Sequence, residues 1–256
     1  MSKRTRFVIT SLILSLGFVG IQFLNDQNRF WAIGILGALT FTLFLWSLFE
    51  TIKPNMTLLT LVLPVMFTLG VGFFWFLLPA NIFAQIPIVI FYGLGIYILC
   101  LIANIHSVAS VRTIALLRAA RGVGFVLTLI TSFLVFDAIL SLRTEIFYLI
   151  PLVFVFSFLL YLQGYWSIVL DKELSKGLIS MSLGSALITT ELAVILYFWP
   201  VTIVVGSLFL TTSFYVLMGL GQARLEGRYF KSTIKEHLVV GILIFIAMFI
   251  STRWGA

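Results

Sequence analysis

Two acids lie inside long apolar runs, Asp137 within 122–142 and Glu191 within 177–198. A charge in hydrocarbon costs roughly 2.5 to 3.5 kcal/mol on insertion scales, so acids in such places face protein or water and often mark ion or proton paths. Asp137 stands five positions before the end of its run at Leu142, about 8 Å along a helix axis. Glu191 stands eight positions before Trp199, about 12 Å by the same rise. Their similar depth lets the two face each other across an outward-opening cavity and bind a proton or a cation. The competing reading is that each acid is hydrogen-bonded to a neighbouring helix or pairs with another subunit.

Other reactive side chains are sparse. Cys100 is the one cysteine, which excludes an internal disulfide and any multi-cysteine metal site. His106 and His237 lack the spacing of a metal-binding helix, and Glu236 is the only acid adjacent to either. No P-loop, aspartate-rich motif or Gly-x-Ser-x-Gly elbow occurs. No cofactor and no metal are therefore expected. Catalysis is disfavoured, its remaining form being an enzyme that acts on lipid at the inner face through His106, His237 and Glu236.

The elements that must position these residues follow from composition. With 61% hydrophobic and 10% charged residues, the chain lies far from the balance of a water-soluble domain. A bilayer core about 30 Å thick needs roughly 20 apolar residues per helix. Nine runs meet or approach that length: 7–24, 30–49, 57–78, 84–105, 122–142, 146–170, 177–198, 201–221 and 238–254, the ninth being the shortest. They are continuously apolar rather than alternating, which rejects barrel strands. The expected fold is all-α, a polytopic membrane helix bundle of about nine transmembrane helices, residues 1–256 forming a single transmembrane domain.

Charge sets the orientation, because Lys and Arg near span ends are retained in the cytoplasm. Thirteen of the 16 Lys and Arg residues fall on one side of the series, leaving Arg29, Arg143 and Arg253 on the other. A plasma-membrane protein with its amino terminus inside and its carboxyl terminus outside is expected. Met1 to Arg6 and the first run resemble a signal peptide, but the run is too long and has no small-residue cleavage site, so it is read as a retained anchor. The sequon at Asn55 falls on the cytoplasmic side and is discounted.

The connections 106–121 and 222–237 carry Arg112, Arg118, Arg121, Arg224, Arg228, Lys231 and Lys235. Anionic lipid of the cytoplasmic leaflet attracts such juxtamembrane cations by about 1 kcal/mol each, and a membrane or cytoplasmic protein partner could dock on the same loops. The cations are dispersed among apolar spans, so nucleic acid is not an expected partner.

The chain also reads as duplicated. A shift of 118 to 121 positions carries Phe7, Val8 and Thr10 onto Phe125, Val126 and Thr128, Trp46-Ser47 onto Trp166-Ser167, and Pro79 onto Pro200. The expected copies are 1–117 and 118–237, parallel because each holds four spans, with an extra helix at 238–256. Parallel repeats build several transporter folds. The acids belong to the second copy alone, with Val19 and Gly70 at the corresponding positions of the first. Pro64 is the one proline deep enough to kink its helix. Three functions remain: transport or conduction of a small solute or ion through the bundle, a non-catalytic scaffold or subunit of a membrane complex, and the lipid-directed enzyme.

Overall fold

The computed structural model describes residues 2–49, 57–77, 82–109, 115–170 and 174–252. Among them are nine helices and no strand: α1 (Lys3–Ile21), α2 (Asp26–Leu48), α3 (Thr57–Trp75), α4 (Ile82–Ala109), α5 (Leu117–Ser141), α6 (Ile146–Val169), α7 (Lys176–Tyr197), α8 (Ile203–Leu225) and α9 (Lys231–Ser251). Eight are long and apolar enough to cross a membrane, while the apolar part of α3, 59–75, is shorter. This is the expected helical membrane bundle.

The largest boundary difference is at α9, which begins seven residues before its apolar run. Lys231, Lys235 and Glu236 are good helix formers and extend the helix beyond the stretch that hydrophobicity marks. Residues 222–237 are consequently helical for most of their length. Gly227, at a φ of 70°, ends α8: its N–H donates to the Arg224 carbonyl and that of Arg228 to the Ala223 carbonyl. A left-handed residue at this place costs glycine nothing. The other basic connection also shortens, because Arg118 and Arg121 fall in the first turns of α5; Arg112 and the sequon lie outside the described residues.

Surface and interior are reversed relative to a protein in water. Leu16, Ile35 and Phe147 are 69, 69 and 79% exposed, whereas Thr10, Thr40, Thr68, Thr131, Ser182, Thr189 and Ser207 are fully buried. Lipid removes the penalty for exposed apolar surface and raises the cost of an unsatisfied polar group. Most buried hydroxyls are satisfied within their own helix, as where Thr40, Thr131 and Ser182 donate to the carbonyls of Leu36, Leu127 and Leu178.

The chain divides into two compact units, one of residues 1–131 and 170–173, the other of 132–169 and 174–256. In the first, α1 packs on α2 and α4, and α3 on α2 and α4. Phe18, Phe67 and Tyr92 form its aromatic centre, and Thr68 joins three helices by bonding Thr40 Oγ1 and Tyr92 Oη, each at 3.1 Å. In the second, α6 packs on α7, both pack on α8, and α9 packs on α8. Tyr161 bonds Thr189 at 2.9 Å and stacks on Phe214 with ring centroids 4.2 Å apart. Tyr165 bonds Ser185 and donates to the Leu217 carbonyl, its ring lying where a Cβ of Gly221 would be.

Candidate functional site

Asp137 sits one turn from the end of α5 and is 4% exposed. Its apolar neighbours along α5, Phe136 and Ile139, are buried with it, so the carboxyl is carried into the interior of the second unit by the helix it belongs to. Its partner comes from α8, where Ser207 Oγ donates to Asp137 Oδ1 at 2.9 Å. The same hydroxyl also lies 3.0 Å from the Val204 carbonyl, again as donor. A serine has one hydroxyl hydrogen, and here two acceptors compete for it. Both contacts are made at once when the carboxyl carries a proton and donates it to Ser207 Oγ, freeing the serine hydrogen for Val204. When the carboxyl is ionised, the serine hydrogen must turn to it and release Val204. The geometry thus leaves one hydroxyl hydrogen within reach of two acceptors.

Glu191 is not part of this group. It lies on the exposed surface of α7, among outward-facing Leu187, Ile188 and Ile195. No hydrogen bond joins it to Asp137 among the described residues.

The histidines fall in different units. His106, in the last turn of α4, is 2% exposed. His237, on α9, meets the Thr233 carbonyl through Nδ1 at 2.8 Å and stacks on Tyr215 of α8 at 5.3 Å. Its ring occupies the space that a Cβ of Gly219 would fill, so it docks one helix on another. Glu236 is exposed. No group of three or more His, Cys, Asp or Glu that could hold a metal occurs among the described residues.

Of the basic residues, Arg118, Arg224, Arg228, Lys231 and Lys235 are exposed and Arg121 is half-buried. Arg228 reaches Glu226 at 3.6 Å, a surface pair of small energetic weight.

Sequence reasoning missed a cavity of about 710 Å³ in the second unit, at the ends of α5 and α7 and the start of α8. Leu140, Arg143, Thr144, Trp199, Thr202 and Gly206 are among its lining. Gly206 precedes the Ser207 that holds Asp137. The signal available beforehand was Arg143 itself, one of three cations that break the charge segregation. Ser207 gave none, because its pairing depends on how α8 meets α5.

The family model for a protein of unknown function, DUF5656, matches residues 9–251. The chain belongs to the DUF5656 family. The match runs from α1 to the last residue of α9, so the DUF5656 region takes in Asp137, Ser207 and the cavity. No curated protein and no solved structure matches the chain.

Proposed function

We propose that this membrane protein conducts a proton or small cation through its helix bundle, with Asp137 and Ser207 as the exchanging pair. The observation that carries the reading is the single Ser207 hydroxyl hydrogen between two acceptors, Asp137 Oδ1 and the Val204 carbonyl. A buried carboxyl that can hold or give up a proton by turning one hydroxyl is the simplest relay element a helix bundle can contain. Within the same proposal, the amino terminus and the basic ends of α5 and α8 face the cytoplasm, where Arg118, Arg121 and Arg224 meet anionic lipid. Residues 1–117 and 118–237 are read as parallel copies, and the bond each makes from a tyrosine to the corresponding threonine of its third helix, Thr68 or Thr189, is consistent with that reading.

The test is proton flux into proteoliposomes under a potassium diffusion potential, read with an internal pH dye. Asp137→Asn keeps the shape and both hydrogen-bonding atoms but cannot release a proton, and should lower flux at least tenfold. Ser207→Ala should lower it severalfold. Equal flux from wild type and Asp137→Asn would remove the reading.

One observation favours the scaffold reading as well. Glu191 stands on an apolar outer face of α7, six residues and about 9 Å from the helix end at Tyr197, where lipid contact costs roughly 2.5 to 3.5 kcal/mol. A partner helix offering a hydrogen bond would remove that cost, and a fixed copurifying protein lost on Glu191→Leu would support it.

A further inference from the structure

The conduction reading leaves the cavity at the α5–α6 and α7–α8 turns without a role. Its polar lining is cationic and unspent. The Arg143 side chain makes no hydrogen bond or ion pair among the described residues, and Glu145, the nearest acid in the chain, does not line the cavity. Thr144 Oγ1 is buried without a hydrogen-bond partner, which inside a membrane protein is a cost that a ligand would remove. The first turn of α8 lines the same space. Its N-cap Thr202 makes no side-chain bond to the helix, so uncapped N–H groups and the positive end of a long helix lie there too.

The backbone adds an independent argument. Arg143 has a φ of 46°, the left-handed region where glycine or asparagine is at ease and a long side chain is not. Glycine would close the α5–α6 turn with less strain. The chain keeps a guanidinium there instead, and strain at such a position points to a use for the side chain.

The rest of the lining is apolar, with Leu149, Leu196 and Val201 as walls beside Trp199. The indole is held in place by α9, its Nε1 donating to Thr252 Oγ1 at 2.9 Å. Tyr197 and Trp199 of the lining are the residue types that settle at the level of lipid headgroups. A cavity of this volume is in the range that holds a small-molecule ligand, and a lone phosphate would leave most of it empty.

We propose that this cavity binds the phosphate head of an anionic phospholipid, the phosphate held by Arg143, Thr144 Oγ1 and the first turn of α8, and the start of its chains by the apolar walls. Arginine suits this role because its planar fork meets two phosphate oxygens at once. The site lies at the opposite end of α5 from Arg118 and does not depend on Asp137 carrying a proton.

The test uses the full chain purified in dodecyl maltoside and titrated with dioctanoyl phosphatidic acid, with inorganic phosphate and with dioctanoylglycerol, binding being read by calorimetry. Saturable binding of one phosphatidic acid is expected, at least tenfold tighter than either fragment. Arg143→Gly should weaken it tenfold or more while melting at or above the wild-type temperature, since it relieves the strained turn. That combination separates loss of a ligand group from loss of the fold. Thr144→Val should weaken binding severalfold, and Arg4→Gln, a surface cation of α1, should leave it unchanged. Wild-type affinity in Arg143→Gly would overturn the proposal. Inorganic phosphate binding as tightly as the lipid would overturn it in favour of a free-anion site, and dioctanoylglycerol doing so would reduce the cavity to an apolar pocket. None of these outcomes bears on proton flux, so the two proposals stand or fall separately.

Discussion

Gly221→Ala places one methyl group against the most constrained ring of the second unit. A Cβ at Gly221 would meet Tyr165 Cζ at 2.5 Å and Oη at 2.6 Å, well inside contact distance. Tyr165 has no exposed surface, and its hydroxyl is fixed from two sides, by Ser185 at 2.8 Å and the Leu217 carbonyl at 3.1 Å. The ring can move aside only by giving up those bonds. Overpacking costs about 1–3 kcal/mol, and interhelical hydrogen bonds in membranes contribute roughly 0.6 kcal/mol each, so the substitution should destabilise by about 2–4 kcal/mol. At roughly 2–4 °C per kcal/mol for a chain of this size, the melting temperature in detergent should fall by about 5 to 15 °C, measured as loss of the monodisperse elution peak after heating. Gly20→Ala is the control: nothing lies within 4 Å of that Cβ, and removing a flexible residue from a helix stabilises by roughly 0.5–1 kcal/mol. If the two variants melt within a degree of each other, α6 and α8 do not pack as described.

Thr68→Val removes the hub that joins α2, α3 and α4, since Thr68 bonds both Thr40 and Tyr92; it should cost about 1–2 kcal/mol and be restored by Thr68→Ser, both read by the same melting assay. Arg118 in the first turn of α5 and Arg143 just past its end mark the two ends of a helix whose 25 residues rise about 37 Å and so exceed the bilayer core. Single cysteines at the two positions, in a Cys100→Ser background, should therefore label with an impermeant maleimide from opposite sides. Labelling from one side would refute a membrane-crossing α5.

The bundle was legible in the sequence because run length alone decides whether a helix spans lipid, and eight of the nine helices meet that measure in the structure. The start of α9 was not, because hydrophobicity marks where lipid begins and not where a helix does; Lys231 and Lys235 are helical without being apolar. Asp137 was legible for the opposite reason, as a charge that has no place in hydrocarbon. Which way an acid faces could not be read in the same manner. A helix that is apolar all round carries no stripe to mark its inner side, so Asp137, which turns inward, and Glu191, which turns outward, look alike in one dimension. The cavity was hidden more deeply, since it is made by two turns that approach only when α5 to α8 pack.

The Tyr–Thr bonds show how copies of one unit could diverge while keeping a core, on the proposed duplication. A shift of 121 positions carries Thr68 onto Thr189, but it carries Tyr92 onto Ser213 and Thr40 onto Tyr161. The threonine of the third helix is thus retained, whereas the tyrosine that bonds it comes from the fourth helix in one unit and from the second in the other. The first unit has Tyr92 beside Phe18 and the second has Phe214 beside Phe136, although Phe214 stands one position after the counterpart of Tyr92. That pattern follows from the solvent. Each threonine donates its hydrogen within its own helix, Thr68 to the Pro64 carbonyl and Thr189 to the Ser185 carbonyl, and keeps a lone pair to offer. In lipid a buried tyrosine hydroxyl must find such an acceptor inside the protein, so the threonine can serve a tyrosine from either neighbouring helix.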